Sequence, residues 1–510
     1  MRNRNFCRDK LNPCSFHIFF LCLSIIILIA CSREYGSDEF YDVERRFTVS
    51  ELEQDFHILR SALEEAHPGI YRYTTEEEFD NFFDVIESRI IGEMTEIEFF
   101  RFLSPIISKI NCVHTHIHYS TEYADVIRDY CKYFPLDLKF IDDKVYIIGN
   151  YNDKINIMPG SELLAINDKV IKELVNMLFG MISSDGHIDS YKYRLLEREF
   201  AEMYFKYIEQ PDSFQIRYTP HSETTVDKIT LPATTLKSIW AARPSYEQRY
   251  RECLKFQIFE QSNLAVLTVK TFVPRIIKYF NFNYDQFIDS TFTEIKDRRL
   301  ENLILDVRWN DGGQESLIYY LLSKFLPEPF QYYSRIETAT TEYSFLKYTD
   351  KGFGFKFFNA LNYRKDEFTG RYLLKGDWNQ YIKPTEPHFD GHVYIIINGY
   401  AFSGAAEFAS LAHYNDKNNK IKFIGEETGG AYYGNNSGDW IKLMLPNTKI
   451  RIDIPIRFYL LAVSHYAHKD RGLIPDYIII PKIEQIINGI DSELDFTIKL
   501  IKQGISNESK

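Results

Sequence analysis

Apolar positions recur at helical spacing as soon as the chain turns polar-rich, at residue 48. "ELEQDFHILRSALEEAHPG" carries one apolar stripe, with Thr48 or Ser50 able to cap it and Pro68-Gly69 to end it. "TTEEEFDNFFDVIESRI" repeats the style, with Thr75 as cap and acids in the first turn. "MTEIEFFRFLSPIISKI" predicts a third helix that delivers the chain into "NCVHTHIHYS". The period then changes from 3.6 to 2. "KYFPLDLKFIDDKVYIIG" alternates as two strands around Asp142-Asp143, a hairpin. "IMPGSELLAINDKVI" follows with a turn at Pro159-Gly160, an apolar strand, a turn at Asn167-Asp168 and a helix start. "FQIRYT" closes that region as a strand, and the charged "RPSYEQRYRECLK" connects it to the last domain. There, apolar strands ("NLAVLTVKTF", "LILDV", "GHVYIIING", "KIKFIG") alternate with helical stretches ("FIDSTFTEIKDRRLENL", "QESLIYYLLSKFL", "SGAAEFASLAHY"). Such alternation implies right-handed crossovers and a mostly parallel sheet.

At 510 residues the chain exceeds one hydrophobic core. The pattern divides it into 48–125, helical with a histidine strand, 132–225, an α+β module, 255–485, the α/β core, and 486–510, a C-terminal helix and tail. With 45% hydrophobic and 26% charged residues the composition is globular. The net charge of −12 argues against a nucleic-acid partner, whose phosphates it would repel. The first thirty residues read as a targeting segment. Arg2, Arg4, Arg8 and Lys10 precede the apolar "FFLCLSIIILIA", too short to span a bilayer comfortably, and "LIAC" resembles a bacterial lipobox. Residues 1–30 are therefore expected to be a lipoprotein signal peptide, Cys31 the acylated mature N-terminus and 31–47 a tether. This would place the protein at the bacterial outer membrane, the cell surface or the periplasm. After Cys31 only Cys112, Cys131 and Cys253 remain, too few for a disulfide framework.

Two turns at strand ends stand out chemically, because open parallel sheets bind ligands beyond the carboxyl ends of their strands. "DVRWNDGG" puts Gly312 and Gly313 where bare backbone N–H groups can meet an anion. "NGYAFSGAAEFAS" puts Ser403 at a strand-to-helix turn, with the N–H of Gly404 free to donate. If those strands are neighbours, the turns supply a nucleophile and an oxyanion hole; taken singly, Ser403 is an ordinary helix N-cap. His114, His116 and His118 alternate along one strand. They are either a zinc-ligand set lacking any HExxH partner motif, or solvated strand residues, or else one of them is a base for a distant nucleophile. Glu407, one turn beyond Ser403, reads as a structural acid, and Arg308 as a brace for its turn. No cofactor motif is present.

Together "LILDVRWNDGG", "VYIIINGYAFSGAAEFAS" and "IGEETGG", closed by "LIPDYIII", resemble the C-terminal-processing (tail-specific) serine peptidases over residues 260–482. The resemblance implies a multidomain α/β fold with a ClpP/crotonase-like core, a helical layer and a PDZ-like module able to take up a peptide end. Where the processing branch has its lysine base this chain has Ala431, with Lys420 and Lys422 before the turn. The branch similar to the tricorn core protease and the retinoid-binding repeats instead uses a histidine in a motif ending "HT", here "NCVHT". By that resemblance His114 is the base and Ser403 the nucleophile, with Gly404 and Gly312 or Gly313 as oxyanion donors. The implied partner is a polypeptide substrate, bound by its C-terminus in the PDZ-like module, with membrane contact through the N-terminal lipid. The branch places an orienting glutamate where this chain has Lys469, so the neighbouring Asp470 is the substitute expected. Two further readings stay open: a non-catalytic binding protein on the same fold, and zinc hydrolysis through His114, His116 and His118.

Overall fold

The computed structural model describes residues 41–152, 155–352 and 354–508. The expected signal peptide, Cys31 and the tether as far as residue 40 lie outside the described residues. Among those described, no helix is long and apolar enough to cross a membrane.

Three helices open the fold: α1 (Val49–Ala66), α2 (Glu76–Glu87) and α3 (Glu96–Lys109). Each begins with a reciprocal capping box, Thr48 with Glu51, Thr75 with Glu78 and Thr95 with Glu98. They bury Leu52, Phe56, Phe83 and Phe100 against isoleucines of a hairpin from the far end of the chain. The short strand β1 (His116–His118) follows α3.

The next unit alternates as its pattern predicts. Strands β2 (Leu136–Ile141), β3 (Lys144–Asn150) and β4 (Ser161–Ile166) precede helices α4 (Ile171–Phe179) and α5 (Asp189–Tyr207). β5 (Ser213–Thr219) and β6 (Asp227–Pro232) complete an antiparallel sheet of order β6-β5-β4-β3-β2. The sheet thus runs to Pro232, past residue 225, because β6 pairs with β5 from Ser213 to Tyr218.

The core is built from β7 (Leu254–Phe259), β8 (Leu264–Val269), α6 (Tyr284–Asp297), β9 (Asn302–Asp306) and α7 (Glu315–Leu322). Later come β10 (Tyr333–Thr338), β11 (His392–Ile397), α8 (Gly404–Tyr414) and β12 (Ile421–Gly425). The long strands β13 (Gly434–Met444) and β14 (Arg451–Leu461) are followed by β15 (Tyr477–Ile478) and α9 (Ser492–Glu508). The central sheet has the order β7-β8-β9-β11-β12-β15 and is parallel except for β7. Its inner strands β8, β9, β11 and β12 are largely buried on both faces, as parallel strands with helical cover must be. Leu303, Leu305, Ile395 and Ile397 point toward α7 and α8, while Ile304 and Ile396 meet Ile501 of α9. This is the mixed α/β multidomain architecture that the alternation predicted. β9 and β11 are direct neighbours, with Asp306 opposite Ile396, so the two unusual turns leave the sheet side by side. The guanidinium of Arg308 is buried between Asp306 and Asp491, both at 2.7 Å, and ties the end of β9 to the start of α9. A second sheet packs β10 and β13 on either side of β14, and β1 pairs with β14, His116 opposite Asp453.

Candidate active site

Ser403 occupies the N-cap position of α8, yet its hydroxyl makes no capping bond. Its backbone sits at φ 52°, ψ −131°, a conformation a residue with a Cβ rarely adopts. Such strain persists only where the surroundings enforce it. The Asn398 side chain does so by accepting from Tyr400 N at 3.2 Å and from Trp309 N, on the neighbouring turn, at 3.0 Å. One amide oxygen thus staples the two turns together. Gly430 closes the third side. A Cβ there would stand 3.1 Å from Ser403 N and 2.7 Å from Ala406 Cβ, so the "ETGG" turn packs directly on the serine turn.

Of the two glycines, Gly312 spends its N–H on Asn310 Oδ1 at 2.8 Å. The N–H groups of Gly313 and Gly404 have no acceptor among the described residues, and a Cβ built on Gly404 would lie 3.1 Å from Gly313 N. The free donor pair beside Ser403 is therefore Gly313 and Gly404.

His114 lies between α3 and β1 and is buried. Its ring centroid stands 6.2 Å from that of Phe402, the residue before Ser403, and 6.5 Å from that of Trp440. Trp440 Nε1 donates to the His114 carbonyl at 3.1 Å and fixes the backbone. Among the described residues neither ring nitrogen has a hydrogen-bond partner, Ser403 Oγ included. Burial, assisted by His116, pushes the imidazole down to about 3, so the ring is neutral near pH 7. Sequence reasoning missed the carboxylate beside it. Asp185 comes from the loop between α4 and α5 and accepts from Val113 N at 2.9 Å; its second oxygen makes no hydrogen bond of normal geometry among the described residues, with the Ala431 backbone leaning toward the carboxylate. Burial raises its carboxyl to about 6. Cys112 completes the group: its Sγ, a His114 ring nitrogen and an Asp185 oxygen lie within 4.8 Å of one another.

Asp470, expected to orient the imidazole, instead accepts from His187 Nδ1 at 2.9 Å, with half its side chain exposed. Position 470 stands at the surface, its carbonyl accepting from His187 N at 2.9 Å, whereas Arg471 turns back to bind Glu427 at 2.8 Å. His116 and His118 point elsewhere as well, His118 pairing with Asp453 at 3.3 Å. No group of three metal ligands built from His114, His116 and His118 occurs among the described residues.

Glu407 is buried beneath the serine helix, where Tyr332 (2.8 Å), Tyr333 (3.3 Å) and Asn435 (2.9 Å) donate to it. Burial nonetheless raises its carboxyl to about 7. The sign follows from linkage. The unfolded chain releases this proton near 4.5, and the native state holds it to about 7. Stability from this group is thus complete below 4.5 and is lost as pH rises through 7. Glu407→Gln cannot ionise, so its stability relative to wild type should climb between pH 5 and pH 8 by on the order of 3 kcal/mol. Denaturant unfolding at the two pH values measures it. Contributions from buried histidines cancel in the difference, and an equal difference at both pH values would refute the assignment.

A cleft of about 1010 Å³ starts at Gly313 and runs over Tyr319, Tyr333, Trp378 and Tyr459. Ser403 and His114 are buried and are not in its lining. The cleft wall comes from scattered residues with no local signal in the sequence.

The family model for Peptidase family S41 matches residues 263–479. No curated protein matches in sequence. The structure of mature CPAF complexed with lactacystin shares 14% identity at a TM-score of 0.65, covering 90% of this chain and 99% of that one. Mature CPAF alone gives 14% identity and 0.63, with 91% and 99% covered. At such identity the likeness shows the fold, across nearly the whole length of both chains.

Proposed function

Given a Peptidase family S41 domain over residues 263–479, which makes this chain a serine-type peptidase, we propose that Ser403 is its nucleophile and His114 its base. The observation that carries the reading is the strained Ser403 turn, its hydroxyl uncapped and the unpaired N–H groups of Gly313 and Gly404 beside it. Neutral His114 takes the Ser403 proton as Oγ attacks the peptide carbonyl, then returns it to the leaving amine. The two glycine N–H groups hold the oxyanion, each worth roughly 3–4 kcal/mol. Water repeats the sequence to release the acyl group. Asp185 is the positioning carboxylate, the imidazole turning toward it as substrate brings Oγ and the ring together; catalytic hydrogen bonds often tighten only at that stage. Polypeptide enters along the aromatic cleft that ends at Gly313.

The chain is held by an acyl group on Cys31 at the bacterial outer membrane, the cell surface or the periplasmic face. The basic n-region and "LIAC" support this. The unit from β2 to β6 acts as a PDZ-like module that receives the substrate's C-terminus as an added strand.

A fluorophosphonate probe tests the pair. Wild type should label at Ser403, located by peptide mass spectrometry, and His114→Ala should label far more slowly. Wild type that stays unlabelled with and without a chelator would leave the fold as a non-catalytic binding protein.

A further inference from the structure

The group Cys112, His114 and Asp185 holds more unsatisfied chemistry than a base and its positioning acid require. All three side chains are buried, at 1%, 1% and 3% exposure. Among the described residues both imidazole nitrogens lack any partner and Asp185 Oδ2 makes no hydrogen bond of normal geometry, the Ala431 backbone only leaning toward that carboxylate; the thiol makes a long 3.6 Å contact with the Asn436 carbonyl and weak ones with the Thr115 side chain and the His114 backbone. Buried polar atoms are normally paired, so an unsatisfied imidazole and a half-satisfied carboxylate gathered beside one thiol mark a missing partner. The frame around them is fixed. Val113 N holds Asp185 Oδ1 at 2.9 Å, Ser183 Oγ donates to the Cys112 carbonyl at 2.9 Å, and Gly186 N donates to the Asn111 carbonyl at 3.1 Å.

Sulfur, imidazole and carboxylate are the ligand set of a tetrahedral zinc ion. Bond lengths of 2.0–2.3 Å place such ligand atoms roughly 3.3–3.8 Å apart, so the present spread of up to 4.8 Å needs a contraction of on the order of 1 Å. Side-chain rotation supplies that without moving the stapled backbone. The fourth position is left for water.

We propose that Cys112, His114 and Asp185 form a Zn²⁺ site whose filling takes His114 away from Ser403 and switches hydrolysis off. The Cys112 thiol proton passes to solvent as the Zn–S bond forms, and the neutral imidazole gives its one free lone pair to the metal, so its other nitrogen keeps the N–H and cannot take the Ser403 proton. The inhibitory half of the proposal rests on the Ser403/His114 reading; the binding half does not.

Two measurements separate those halves. Full-length Ser403→Ala protein, titrated with Co²⁺ as a spectroscopic stand-in and with Zn²⁺ against a chromophoric chelator, should bind one equivalent. It should also show a thiolate-to-cobalt band in the near ultraviolet. Cys112→Ser should abolish the band, and either Cys112→Ser or Asp185→Asn should weaken Zn²⁺ binding at least about tenfold. No stoichiometric binding, or binding indifferent to both substitutions, overturns the site. Zn²⁺ should also suppress fluorophosphonate labelling of wild type, reversibly with chelator. Cys112→Ser should need at least about ten times more Zn²⁺ for the same fractional suppression of its own metal-free rate. Labelling of wild type that ignores bound Zn²⁺ overturns the switch. If wild type fails to label even in chelator, the hydrolytic reading falls while the cobalt spectrum still decides the metal site.

Discussion

Replacing Ser403 with alanine is expected to lower kcat/KM on a peptide substrate by roughly 10⁴–10⁶-fold, leaving only what binding and the oxyanion donors supply. His114→Ala should fall nearly as far, and the double variant little further, since a base without its nucleophile has nothing to activate. Stability should respond differently. The φ of 52° and ψ of −131° at Ser403 carry a cost of order 1–3 kcal/mol for any residue with a Cβ. Alanine keeps its Cβ and so keeps the strain. Ser403→Gly removes it, at a loss of about 0.5–1 kcal/mol in unfolded-chain entropy. Both variants should therefore be inactive, with the glycine variant unfolding at equal or higher denaturant than the alanine one. Hydrolysis by Ser403→Ala within tenfold of wild type would refute the nucleophile, and a glycine variant clearly less stable than alanine would refute the strain.

What the sequence made legible was whatever depends on local period and short spacing. The helix caps at Thr48 and Thr75, the Asp142-Asp143 hairpin and the apolar parallel strands are each written within a dozen residues. The neighbouring of β9 and β11, which juxtaposes the Gly312-Gly313 and Ser403 turns, followed once the sheet was parallel. The strands β13 and β14 escaped because "GNNSGDW" opens the first with polar residues. Asn435 and Asn436 are buried there by tertiary contacts and not by any alternation. Asp185 escaped for a related reason. It sits in an irregular loop, and only folding brings it to Val113 and His114 from more than seventy positions away. The choice between Gly312 and Gly313 as donor was equally hidden, since it turns on where the Asn310 side chain bends.

That choice makes Gly312 the sharpest probe of the site's packing. Its φ of +89° already favours glycine, and a methyl group added there would stand 2.5 Å from Gly404 N, 3.0 Å from Ser403 Cβ and 3.1 Å from the Phe402 carbonyl. Two of those neighbours are backbone atoms and cannot rotate away. Gly312 cannot retreat either, because its N–H is held by Asn310 and its carbonyl accepts from Phe272 N at 2.9 Å. Left-handed strain of about 1–2 kcal/mol and overpacking of about 1–3 kcal/mol together predict a stability loss of roughly 2–5 kcal/mol for Gly312→Ala. The chemistry should suffer separately. The methyl pushes the Gly404 N–H out of the position the oxyanion needs, and one lost donor lowers kcat by about 10²–10³-fold with KM little changed. Assays run well below the variant's unfolding midpoint keep the two effects apart. Gly92→Ala, whose added methyl meets nothing within 4 Å, is the control and should stay within about 0.5 kcal/mol of wild type with full turnover. If Gly312→Ala folds and turns over like that control, the two turns do not form the oxyanion pocket.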